Sequence, residues 1–188
     1  QDSVITIKGN TSFTNNTCGG NGGGMALVQS MAVLFEGSKT VFSYNSAGVS
    51  GGAVFVTGTT FGTVFMNVVF VSNPARTGGG VRVTESGSAI TIDVRNKRVT
   101  NPTLFVGCEF IDNSAFGTGG AVDSASGQDV FDDTLFEGNQ ARVGGALRLA
   151  GTTSVVNCSF IDNVSDFDGG PAVSNGGYIS TVTNVSFH

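Results

Sequence analysis

Apolar residues in this chain come in short alternating runs, such as Val54-Phe55-Val56, Val81-Arg82-Val83 and Leu147-Arg148-Leu149. A period of two is the mark of strands with one buried face. No stretch sustains apolar positions at i, i+3, i+4 and i+7 without meeting glycine or a β-branched cluster, so helical hairpins are excluded. Glycine doublets punctuate the runs, and both features recur in one register. Phe-x-x-Asn occurs at Phe13-Asn16, Phe42-Asn45, Phe70-Asn73, Phe110-Asn113, Phe136-Asn139 and Phe160-Asn163, and Phe187 begins a further copy. Successive phenylalanines are 29, 28, 40, 26, 24 and 27 residues apart. Eight or nine residues after each of the first six stands a doublet: Gly22-Gly23, Gly51-Gly52, Gly78-Gly79, Gly119-Gly120, Gly144-Gly145 and Gly169-Gly170.

Short strands broken by glycine corners once per repeat describe one coil of a parallel β-helix; leucine-rich repeats would need far more leucine. The fold predicted is all-β, a right-handed parallel β-helix of six to seven coils. It occupies residues 1–188 as one domain, with coils starting near Phe13, Phe42, Phe70, Phe110, Phe136 and Phe160. Stacked coils should place equivalent residues about 4.8 Å apart. Thr11, Thr40, Val68, Cys108, Thr134, Cys158 and Val185, two positions before each phenylalanine, are all compact and suit an inward column. The phenylalanines form a second inward column of stacked rings. Asn10, Lys39, Asn67, Gly107, Asp133, Asn157 and Asn184, one position earlier, should face outward. The Asn of Phe-x-x-Asn falls at a bend, either as a buried amide ladder or as a solvent-facing residue in a left-handed turn. The doublet fits a tight corner that excludes a Cβ.

Composition narrows the function. The 188 residues include 29 glycines, and only 12% are charged, about double and half the usual shares. Disorder and collagen are both excluded, since large apolar residues are plentiful and prolines number three. A net charge of −5 argues against a nucleic-acid partner, and no run of 18 apolar residues predicts a transmembrane helix. The three cysteines and one histidine do not make a zinc site. Cys108 and Cys158 share a column two coils apart, about 9.6 Å, too far for a disulfide. Neither metal nor cofactor is expected. Asp162, Asp166 and Asp168 are close enough for calcium, but metal-free Gly-Asp turns are commoner.

The pairing of Phe-x-x-Asn with Gly-Gly-Ala-(Val/Leu) is clearest in Phe42-Asn45 with Gly51-Val54, Phe110-Asn113 with Gly119-Val122, and Phe136-Asn139 with Gly144-Leu147. It resembles the repeat of the chlamydial polymorphic outer-membrane proteins. That resemblance implies a right-handed β-helix displayed outside the cell and used for adhesion. The match departs in the first, third and sixth coils, where Gly-Gly-Ala is imperfect, and no transporter barrel is present in this sequence.

Candidate chemistry lies in two places. The third coil carries an insertion, about residues 84–102, and five of the nine basic residues fall between Arg76 and Arg98. Insertions project from a solenoid, so Arg95, Lys97 and Arg98 are the partner-binding candidates. After the glycine corner an outward column reads Ala26, Phe55, Arg82, Asp123, Arg148 and Val173. Arg82, Asp123 and Arg148 would serve a polysaccharide lyase or epimerase on acidic glycans, although a surface ion-pair ladder is the commoner use of such residues. Ice binding would need a regular Thr ladder, and Thr57, Thr59, Thr152, Thr153, Thr181 and Thr183 do not recur in one register. Sugar stacking usually employs Trp or Tyr, of which there are none and two.

Sequons at Asn10, Asn15, Asn157, Asn163 and Asn184 are glycosylation candidates. The start Gln1-Asp2-Ser3 lacks a Met and a signal peptide, as a processed segment would. No capping element is evident at either end, so the chain should continue into, or stack on, further β-helix. The expected function is that of an extracellular, cell-surface segment that is structural or adhesive and contacts protein or glycan.

Overall fold

In the computed structural model the described residues are 4–28, 32–36, 39–59, 63–86, 103–125, 128–167, 170–176 and 179–188. Their backbone is all strand, turn and bend, and every strand pairing is parallel between successive repeats. The chain forms the parallel β-solenoid that its repeat predicts, with four faces per coil.

The first sheet contains Val4–Lys8, Ala32–Glu36, Thr63–Met66, Thr103–Val106, Gln128–Asp132, Thr152–Val156 and Ile179–Thr183. A second seven-stranded sheet carries the Phe-x-x-Asn motif and runs from Ser12–Thr14 through Thr40–Ser43, Val68–Val71, Glu109–Ile111, Leu135–Glu137 and Ser159–Ile161 to Ser186–Phe187. The third face is narrow. It consists of Thr17–Cys18 paired with Ser46–Ala47, and of a separate set comprising Pro74–Ala75, Ser114–Thr118, Gln140–Val143 and Val164–Ser165. The fourth sheet follows the glycine corner, with Met25–Val28, Val54–Thr59, Val81–Ser86, Val122–Ser124, Leu147–Leu149 and Val173–Asn175.

Two phenylalanine columns fill the core. In the second sheet Phe13, Phe42, Phe70, Phe110, Phe136, Phe160 and Phe187 stack with centroids 4.5 to 5.4 Å apart. The first sheet contributes Phe35, Phe65, Phe105 and Phe131, stacked at 4.8 to 5.1 Å. The columns meet edge to face at 5.6 to 5.8 Å, the alternative geometry that the ring quadrupole favours. The compact column is also in place: Thr40, Val68, Cys108, Thr134 and Cys158 are buried.

Asn16, Asn45, Asn73, Asn113, Asn139 and Asn163 form the amide ladder, buried from Asn45 to Asn139. From Asn16 to Asn139 each Nδ2 donates to Oδ1 of the next coil's Asn at 2.8 to 3.1 Å. From Asn45 onward its other hydrogen goes to the preceding coil's phenylalanine carbonyl. From Asn45 onward each Oδ1 also accepts the backbone N–H of the preceding coil's ladder Asn. An interior amide thus uses its full capacity of two donors and two acceptor sites. The left-handed conformation falls one residue earlier, on Asn15, Tyr44, Ser72, Asp112, Gly138 and Asp162, which removes the solvent-facing alternative.

A second left-handed corner, before the second sheet, is occupied by Asn67, Gly107, Asp133, Asn157 and Asn184. Only the third corner requires glycine. A Cβ on Gly51 or Gly119 would overlap the carbonyl of Val54 or Val122. At Gly120 it would overlap the Gly145 carbonyl of the next coil. Strand register corrects the last repeat. Val173 pairs with Leu147 and Gly170 carries the positive φ, so Gly170-Pro171-Ala172, not the Gly169-Gly170 doublet, stands at the corner position.

Replacing Asn113 with Ala strands the Asn73 N–H and the Phe70 carbonyl in the core. Denaturant titration should show a loss of about 3 kcal/mol or more, while Asn16→Ala, at the exposed end of the ladder, should cost under about 1 kcal/mol. Gly120→Ala should prevent soluble folding. Gly19→Ala, where a Cβ meets nothing within 4 Å, should leave the midpoint within about 0.5 kcal/mol.

Candidate functional site

The fourth sheet brings together the charged residues read as one column. Arg82 pairs in register with Asp123, and Asp123 pairs with Arg148. The column ends on Ser174 rather than Val173, because Ser174 is the register partner of Arg148. Asp123 Oδ2 receives the Arg82 guanidinium and the Thr118 hydroxyl, and Arg148 lies 3.5 Å from Oδ1. The two arginine side chains roof the carboxylate: Arg82 and Arg148 are 19% and 33% exposed, whereas Asp123 is 1% exposed.

This geometry limits the chemistry. A proton-abstracting base must come within hydrogen-bond reach of its substrate, and the Asp123 carboxylate is closed to a polymer lying on the face. The arginines in turn spend donors on Asp123. The arrangement suits a cross-coil clamp better than a catalytic pair, as three like charges stacked at coil spacing would repel.

A second buried polar pair lies inside the solenoid, where the Ser124 hydroxyl donates to Asp129 Oδ2. Asp129 shares its inward column with Thr63, Thr103 and Thr153, all buried. No motif announces it, because Asp129 occurs in that column once. The inward threonines also remove Thr153 from any outward ice-binding ladder.

Arg95, Lys97, Arg98 and residues 87–102 of the insertion lie outside the described residues, as does Asp168. Asp162 and Asp166 are exposed, and among the described residues no group of three His, Cys, Asp or Glu side chains converges as a metal site. Of the sequon asparagines, Asn10, Asn15, Asn157 and Asn184 are exposed. Asn163 differs in being partly buried, with its amide nitrogen, the atom that a glycan would take, donating to the Phe136 backbone carbonyl at 2.9 Å. The Nδ2 atoms of Asn157 and Asn184 instead make exposed bonds to side-chain oxygens.

The three cysteines are free thiols. Desolvation pushes the Cys108 thiol from 9.0 up to about 12, and burial raises Cys158 to about 11. Thiolate chemistry at neutral pH is thereby shut off for both.

A profile of the Chlamydia polymorphic membrane protein repeat matches residues 39–57. The match covers the second coil's Phe42-Asn45, its glycine corner and the following strand, so the chain carries a repeat of this kind. No curated protein matches the chain, and no solved structure does. Among the described residues no helix is long and apolar enough to cross a membrane.

The raised thiols make stability pH-dependent. Unfolding lets both cysteines ionise near 9.0, whereas the folded chain holds its protons to about 11 and 12. Their contribution is complete below pH 9 and is lost as pH rises above it. Denaturation midpoints should therefore fall between about pH 9 and 11, and Cys108→Val with Cys158→Val should flatten that fall relative to wild type.

Proposed function

We propose that this solenoid is an extracellular, cell-surface segment whose work is structural and adhesive: a stiff rod that presents flat faces to a protein or glycan partner. The observation that carries the reading is the polymorphic membrane protein repeat matched at residues 39–57, set in a solenoid whose sheets are held together by the amide ladder. Rigidity of this kind serves display, since the faces keep their spacing without a partner. In this reading the insertion residues Arg95, Lys97 and Arg98 meet the partner. Further β-helix, from the same polypeptide or another copy, covers the apolar hollow of about 440 Å³ lined by Phe160, Ala172, Val173 and Phe187.

The enzymatic alternative receives less support. Its residues do converge, but the only carboxylate among them is enclosed, and no histidine or lysine lies in the column.

Beads coated with the purified chain should attach to cultured epithelial cells above the level of albumin-coated beads, and soluble chain should compete. Attachment no greater than albumin's would overturn the adhesive reading. Incubation with alginate or pectin should yield no rise in absorbance from unsaturated uronate. Such a rise, abolished by Arg82→Ala or Arg148→Ala, would establish the lyase instead.

A further inference from the structure

The third face is narrow and regular except at one place. Ala115 pairs with Ala141, yet the next pairing joins Thr118 to Val143, so the fourth coil spends three residues where the fifth spends two. Beside this bulge Phe116 follows the buried Ala115 and faces outward at 78% exposure, the place that exposed Arg142 takes after Ala141 in the next coil. Across from it Phe167 is 60% exposed, with the Arg142 guanidinium held over its ring at 4.2 Å. Between them lies a hollow of about 430 Å³ whose rim includes Gln140 and Asp166, within the size range of small-ligand sites, about 300–1,000 Å³.

Two exposed aromatic rings, one of them capped by Arg142, stand beside polar groups at the rim of one hollow, the composition that small-ligand sites share. We propose that this hollow binds a neutral sugar, a pyranose unit of an uncharged glycan. The C–H face of the ring lies against Phe116, as apolar surface against apolar surface. Neighbouring hydroxyls find a donor and acceptor in Gln140, an acceptor in Asp166 and the edge donors of Arg142, whose plane is already set by Phe167. Charge selects among ligands. Arg142 and Asp166 balance locally, and the chain as a whole carries −5, which disfavours a polyanion. A purely apolar peptide would desolvate Gln140, Arg142 and Asp166 without giving them partners. Phenylalanine here supplies the platform that the scarcity of Trp and Tyr seemed to deny.

The proposal names the partner for the adhesive reading and rests on it for its biological setting, but it is tested without cells. Saturation-transfer NMR would use neutral tetrasaccharides of glucose, galactose, mannose and N-acetylglucosamine, with a galacturonate tetramer and a Phe-Pro-rich peptide as competitors for the assignment. At least one neutral tetrasaccharide should receive saturation at its ring protons. Phe116→Ala and Phe167→Ala should each weaken it about tenfold, Phe116→Tyr should retain it, and unchanged melting would show each variant folded. The proposal fails if no neutral sugar binds, if the uronate or the peptide binds in preference, or if binding survives Phe116→Ala. Absence of sugar binding with bead attachment intact would sink this site and leave adhesion standing.

Discussion

Parallel backbone hydrogen bonds hold each coil about 4.8 Å from the next, and that one spacing governs every residue choice in the molecule. A side chain in a solenoid is flanked by its own equivalents, so each position must tolerate, or exploit, stacking on residues in the same place. Phenylalanine meets this with near-parallel rings. Asparagine meets it better than any other polar residue, because an amide is both donor and acceptor and can bond to a copy of itself. Glycine meets it where the corners approach so closely that a Cβ on one coil would occupy the carbonyl of the next.

The same rule explains the placement of charge. Like charges one coil apart destabilise each other, and the fourth sheet alternates Arg82, Asp123 and Arg148. The acid is buried although its position faces outward, since two long side chains fold over it. Faces built this way are flat and chemically quiet. In the proposed readings recognition falls to departures from the repeat: the hollow beside Phe116 and the neighbouring bulge, and the insertion that bears Arg95, Lys97 and Arg98.

Much of this is legible from a period. Phe42, Phe70, Phe110, Phe136 and Phe160, with the compact column beside them, could be assigned to the core because stacking forces equivalent positions into equivalent environments. The second phenylalanine column was visible too, as Phe65 to Phe70, Phe105 to Phe110 and Phe131 to Phe136 at one constant spacing, but it occupies only four coils and carries no neighbouring motif. Gly169-Gly170 misled for the opposite reason: the doublet matched in letters, whereas strand pairing places Gly170-Pro171 at the corner.

The amino-acid sequence by itself determined the architecture, because a solenoid repeats one local solution and local solutions are written in adjacent residues. It determined which residues share a column. Only the tertiary structure decided how far each column is exposed. Asp123 is closed by arginines from the coils on either side, Asp129 turns inward to Ser124, and Phe116 is left exposed on the third face. Burial depends on what neighbouring coils place over a residue, and that is a property of the stack rather than of any one repeat.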